Sequence, residues 1–107
     1  MRVLRIHAAA AEEAAEAAAW YEKERPGLGE DFQYAIDAAL DLLEQDIVPL
    51  TSAPGVAGVR GVKRLLLRRF PYAVVVLERG TEIFVIAFAH HARRPGYWRD
   101  RLGAGIK

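Results

Sequence analysis

Cysteine is absent from this chain, which therefore has no disulfide framework, no thiolate metal site and no cysteine nucleophile. The absence also fits a reducing compartment. Long apolar runs are lacking as well. None approaches the roughly 18 residues that a membrane-spanning helix requires. The N-terminal stretch has no uninterrupted apolar core between charges of the kind a signal peptide carries. A soluble cytoplasmic protein without a membrane partner is expected. Glycine-rich phosphate loops are missing too: Gly55, Gly58 and Gly61 are followed by no Lys-Ser/Thr. His90 and His91 stand side by side with neither a carboxylate nor the third histidine, His7, near them in sequence, a poor ligand set for a metal. Neither metal nor cofactor is expected, and the basic half offers no carboxylate pair spaced for acid–base work.

What is present is ordinary in total and uneven in distribution. A length of 107 residues, with 52% hydrophobic and 27% charged side chains, makes one domain spanning residues 1–107. The formal net charge is only +1. Residues 1–60, however, hold five basic against eleven acidic residues, a formal −6, and residues 61–107 hold ten against three, a formal +7. The acids fall on two predicted helices, whereas the bases flank the strand-rich half. A localised positive surface suits an acidic protein or a nucleic-acid backbone.

In chain order, Val3–Ile6 alternates and reads as a short strand with Arg2 and Arg5 toward solvent. Ala8–Glu24 is mostly Ala and Glu, strong helix formers, with Trp20 as the expected anchor. Arg25-Pro26-Gly27-Leu28-Gly29 breaks the helix. A second helix is expected from about Glu30 to Ile47. Phe32, Ile36, Ala39/Leu40, Leu43 and Ile47 recur at three- and four-residue steps and form its apolar face. The short link makes the two helices an antiparallel hairpin. Pro49–Gly61 has no period and reads as a loop.

Val62–Leu67 opens the strand-rich half. Pro71 lacks an N–H for a ladder and implies an edge or a bend. Two apolar runs, Tyr72–Leu77 and Ile83–Ala89, flank Glu78-Arg79-Gly80-Thr81-Glu82 and read as a hairpin, with Gly80 supplying the positive φ of its turn. Tyr97–Leu102 is expected to form one or two helical turns. The whole is an α+β fold, β-α-α-β-β-β, in which a helical hairpin packs on one face of a small, mainly antiparallel sheet.

An antiparallel hairpin sets the start of its first strand beside the end of its second. Arg68 and Arg69 are therefore expected near His90, His91, Arg93, Arg94, Tyr97 and Trp98. Adjacent strand side chains point to opposite faces, so one of the two histidines at most joins a given site. Its near-neutral pKa suits a general acid or base, and a hydrogen bond at the sheet edge is the plainer use. The four arginines suit bidentate phosphate binding, or ion pairs with the acidic helices. Tyr97 and Trp98 suit base stacking, or pinning of the tail to the domain body.

The order β-α-α-β-β-β, the basic residues before Pro-Tyr-Ala-Val-Val-Val, and the ending IFVIAFAHHARRPGYW resemble the RelE/ParE superfamily of type II toxin–antitoxin toxins. The likeness is greater to its ParE-like, plasmid-stabilisation branch. It implies a small toxin neutralised by a cognate antitoxin that wraps the helices and sheet in a hetero-oligomer. Promoter DNA would be reached only through that antitoxin. ParE-like members inhibit DNA gyrase by binding. RelE-like members cleave mRNA on the ribosome, the alternative function, and a toxin fold without activity is a third. Carried over to this chain, the nuclease reading would use His90, His91, Arg68, Arg69 and Tyr97. Partner binding would use Arg64, Arg93, Arg94 and Trp98. A lysine-rich central strand is missing, with Lys63 alone nearby, and that favours the gyrase type or a toxin fold without activity.

Overall fold

In the computed structural model of the chain, residues 2–46, 50–52 and 61–102 are described. Strand β1 spans Val3–Ile6, helix α1 Ala8–Glu24, helix α2 Leu28–Gln45, β2 Thr51–Ser52, β3 Val62–Leu66, β4 Tyr72–Arg79 and β5 Glu82–His90, followed by a 3₁₀ turn, Arg99–Leu102. The sheet order is β1-β5-β4-β3-β2. All neighbours are antiparallel except β1, which pairs with β5 in parallel. The expected α+β architecture is met, with one addition. Thr51 and Ser52, within the stretch read as a loop, pair with Arg64 and Lys63 as a two-residue edge strand. Residues 53–60 and Ile47 lie outside the described residues.

Both helices lie on one face of the sheet, and their small residues set how closely. Helix α1 buries Ala10, Ala14 and Ala17. Helix α2 buries Gly29, Phe32, Ile36, Ala39 and Leu43, a stripe at three- and four-residue steps. Together with Val74, Val76, Ile83, Val85 and Phe88 of the sheet they make the main core. A second, smaller core of Val62, Val75, Leu77, Ile86, Ala87 and Trp98 fills the opposite face, where the C-terminal tail lies.

Tyr21, not Trp20, anchors α1. The buried register Ala10, Ala14, Ala17 continues four residues on to Tyr21, which leaves Trp20 one step off the inner face and 57% exposed. Tyr21 packs against Phe32 and Phe70 at centroid separations of 5.2 and 5.0 Å. Arg2 also departs from expectation. Its guanidinium donates to the Leu43 carbonyl at 3.0 and 3.2 Å and pairs with Asp46 and Glu78, so its side chain is only 12% exposed. The last carbonyls of α2 lack helical donors, and a cation there satisfies both hydrogen bonding and the helix dipole.

The link between the helices is held by Glu22. Its carboxylate accepts the N–H groups of Gly27 and Gly29 at 2.9–3.1 Å, filling donors that the first turn of α2 leaves open. Gly29 also lets the helices approach. A Cβ there would stand 2.4 Å from the Ala18 carbonyl oxygen and 2.9 Å from Glu22 Cβ. Gly29→Ala is therefore expected to destabilise by about 1–3 kcal/mol, read as a lowered urea midpoint with unchanged slope. An unchanged midpoint would mean that the hairpin yields without strain.

Candidate functional site

The β4–β5 hairpin turns through Gly80-Thr81, with Gly80 at φ +59°. It brings Tyr72 opposite His90, as its antiparallel register requires. A β-bulge interrupts the ladder: Val75 pairs with Ala87 and Val76 with Val85, which leaves Ile86 as the extra residue. The phase of β5 shifts there. Val85 faces the helices, Ile86 and Ala87 both face away, and Phe88 faces the helices again. His90 follows Phe88 by two and falls on the helix side, where its ring meets Tyr72 edge-on at 5.1 Å. His90 Nδ1 accepts the Ala92 N–H at 2.9 Å. His91 is exposed on the other side. The remaining histidine, His7, caps α1 through Nδ1, which accepts from the Ala9 N–H at 3.1 Å.

A cleft of about 370 Å³ opens on the helix-free face between the sheet and the tail. Ala73, Val75 and Ala89 are among the sheet residues lining it, and the tail from Arg93 to Arg99 forms its other wall. Arg64, Arg93, Arg94 and Arg99 line it together with His91, and no carboxylate among the described residues does. The Nε of Arg64 is buried without a hydrogen-bond partner among the described residues. His90 lies between this cleft and a smaller one of about 300 Å³ on the helix side, lined also by Glu13, Glu16, Trp20, Tyr72 and Arg93.

The residues expected at a nuclease centre are not gathered. His90, His91 and Tyr97 reach the larger cleft, but neither Arg68 nor Arg69 lines either one. Arg69 extends to Asp31 in the first turn of α2, at 3.1 Å. Of the residues expected at a partner surface, Arg64, Arg93 and Arg94 meet in the cleft. Trp98 is instead buried at 6% exposure, as part of the second core.

Tyr97 is occupied by a residue that the sequence reading passed over. Its hydroxyl donates to Glu13 Oε2 at 2.6 Å. The Arg93 guanidinium lies 3.8 Å from the centre of its ring. Glu13 also accepts the Phe88 N–H at 3.1 Å and is gripped by Arg101 at 3.0 and 3.1 Å. Arg101 in turn donates to the Ile86 carbonyl at 3.0 Å. Strand β1 ends opposite Val85, so one carboxylate and one guanidinium satisfy the edge of β5 where β1 has stopped. The signal for Glu13 was available. It lies three residues after Ala10 and four before Ala17, beside the inner face of α1.

Burial, and then the Glu13 carboxylate, raise the Tyr97 pKa well above its ordinary 10.0. The neutral phenol is thus the folded form. Its contribution to stability is present in full below the ordinary tyrosine value and is lost as pH rises through the raised folded value. Tyr97→Phe is expected to cost about 1.5–3 kcal/mol, to flatten the alkaline loss of stability, and to remove a late step from the tyrosinate absorbance titration. Loss of a step at the ordinary tyrosine value, in place of the late one, would disprove the hydrogen bond to Glu13.

A helical hairpin on one face of a small mixed sheet is the α+β fold that the RelE/ParE resemblance implied. A solved chain of the chromosomal ParDE TA system from P. aeruginosa has this fold: it is 22% identical, with a TM-score of 0.70, and the match covers 84% of this chain and 96% of that one. No protein-family model matches the chain, and neither does any curated protein.

Proposed function

We propose that this chain is the toxin of a type II toxin–antitoxin module, of the ParE type. It is held inactive by a cognate antitoxin and acts, when released in the cytoplasm, by binding DNA gyrase. The observation that carries this reading is the likeness in fold to a chain of a ParDE system over most of both chains. The fate of the reactive side chains supports binding over cleavage. Tyr97 is hydrogen-bonded to Glu13 and kept protonated, and Arg69 is paired with Asp31. Trp20, Tyr34 and Leu42 leave exposed apolar surface on both helices, suited to a partner that wraps them.

One observation favours the mRNA interferase as a second reading. His91 shares a cleft with Arg64, Arg93 and Arg94, so a proton-transfer group stands among phosphate-binding ones. Induced expression separates the two. Growth arrest with intact mRNA and accumulating DNA breaks is the expected result. Fragmented mRNA, abolished by His91→Ala, would replace the gyrase reading with the nuclease. Undisturbed growth would leave a toxin fold without toxicity.

A further inference from the structure

The cleft on the helix-free face holds four arginines that no carboxylate among the described residues neutralises. Among the described residues Arg2, Arg5, Lys63, Arg69 and Arg101 each pair with a carboxylate, whereas Arg64, Arg93, Arg94 and Arg99 pair with none. Arg64 is the telling member. It stands on β3 opposite Val75, and its Nε is buried with no acceptor among the described residues. A buried guanidinium donor without an acceptor is costly, and like charges around one cleft repel. An anion entering the cleft relieves both.

The remaining lining selects the kind of anion. Ala73, Val75 and Ala89 give the cleft small aliphatic side chains. Neither the indole nor the phenol of the lining offers a free face to a base, because Trp98 is 6% exposed and Arg93 already covers the Tyr97 ring, which leaves the smaller imidazole of His91. Among the described residues no Asn, Gln, Ser or Thr lines the cleft to read a base edge. A nucleotide would use the charges and waste the aliphatic surface, since recognition of single-stranded nucleic acid relies on stacking. An acidic residue beside a Leu, Ile or Val uses both.

We propose that this cleft receives an acidic, aliphatic peptide segment of a protein partner. A carboxylate would engage the Arg64 guanidinium, and the neighbouring aliphatic side chain would rest on Ala73, Val75 and Ala89. The proposal deepens the toxin–antitoxin reading and rests on it only for the partner's identity, the antitoxin.

The test is fluorescence anisotropy on the full chain with a labelled hexapeptide alternating leucine and glutamate. A leucine-to-serine peptide of equal charge and a uridine tetranucleotide, with one phosphodiester for each glutamate, serve as comparators. Arg64→Gln, and independently the exposed Arg94→Gln, are expected to weaken the leucine peptide, Arg64→Gln by about tenfold or more. Arg68→Gln, outside the cleft, should bind as wild type. The serine peptide and the tetranucleotide should bind more weakly than the leucine peptide. Melting curves establish that each variant is folded.

Wild-type affinity in both cleft variants would overturn the proposal. So would equal binding of the serine peptide, or tighter, Arg64-dependent binding of the tetranucleotide, which would make the cleft a phosphodiester site. The induced-expression experiment is read separately. Growth arrest without peptide binding removes this proposal alone. Arg64-dependent peptide binding without growth arrest supports the cleft and removes only the antitoxin as its partner.

Discussion

Glu13→Ala is expected to destabilise the fold by about 3 kcal/mol, the low end for breaking a buried ion pair. Glu13 and Arg101 keep 13% and 17% of their side-chain surface exposed, which is why the low end applies. For a domain of this size that lowers the melting temperature by roughly 12–24 °C. The loss is large because one carboxylate has four duties: it accepts from the Phe88 N–H, the Tyr97 hydroxyl and two nitrogens of Arg101. Removing it strands a half-buried guanidinium and an edge amide together. Two readouts test the mechanism beyond the melting temperature. Hydrogen exchange at the Phe88 amide should accelerate more than at Val74 in the neighbouring strand. The double variant Glu13→Ala/Arg101→Leu should lose less than the sum of the two single losses, since the second change removes the charge that the first left unpaired. Strict additivity would show that Glu13 and Arg101 act independently. The consequence for function is local. Arg93, Arg94 and Arg99 belong to the same tail that Glu13 fastens through Tyr97, so the cleft wall depends on a residue of α1.

Phe32→Ala is the second large effect, expected at about 3–5 kcal/mol. Phe32 is fully buried and stands among Tyr21, Phe70 and Tyr72 at centroid separations of 5.2, 5.0 and 5.1 Å. The contacts join both helices to the start of β4, so the void left by alanine has walls on three elements and little means of closing. Phe32→Leu keeps most of the volume and should cost less than about 1.5 kcal/mol. Urea unfolding checks both. Equal losses in the two variants would mean that edge-on aromatic packing, rather than volume, is what the site requires. Because Tyr72 also meets His90, an alanine at Phe32 is further expected to broaden the His90 ring resonances in NMR spectra while leaving those of His91 sharp.

Much of this was legible in the residues themselves. The apolar steps from Phe32 to Leu43 specify a helix face without reference to any partner, and Pro26 with its neighbouring glycines specifies where one helix ends. Tyr72–Leu77, Gly80 and Ile83–Ala89 specify a hairpin, and a hairpin necessarily brings its two outer ends together. These are properties of neighbouring residues, so a linear reading reaches them. Trp20 shows the limit even within a helix. Its size attracted the role of anchor, yet a one-residue step turns a side chain by about 100° around the axis, and the alanines assign the inner position to Tyr21.

The side to which His90 and His91 point was decided by tertiary structure. Strict alternation from Val85 would have turned His90 away from the helices; the extra residue at Ile86 reverses it, and no local pattern marks that bulge. The arginines divide for a similar reason. Sequence gathers Arg68, Arg69, Arg93 and Arg94 near one sheet end, but where a long charged side chain lies depends on the acceptors within its reach. Asp31 takes Arg69, while Arg64 is left facing a cleft that no acid among the described residues lines. Periodicity is local and survives reading one residue at a time. Ladder phase and charge pairing are relations between residues distant in the chain, and they exist only once the chain has folded.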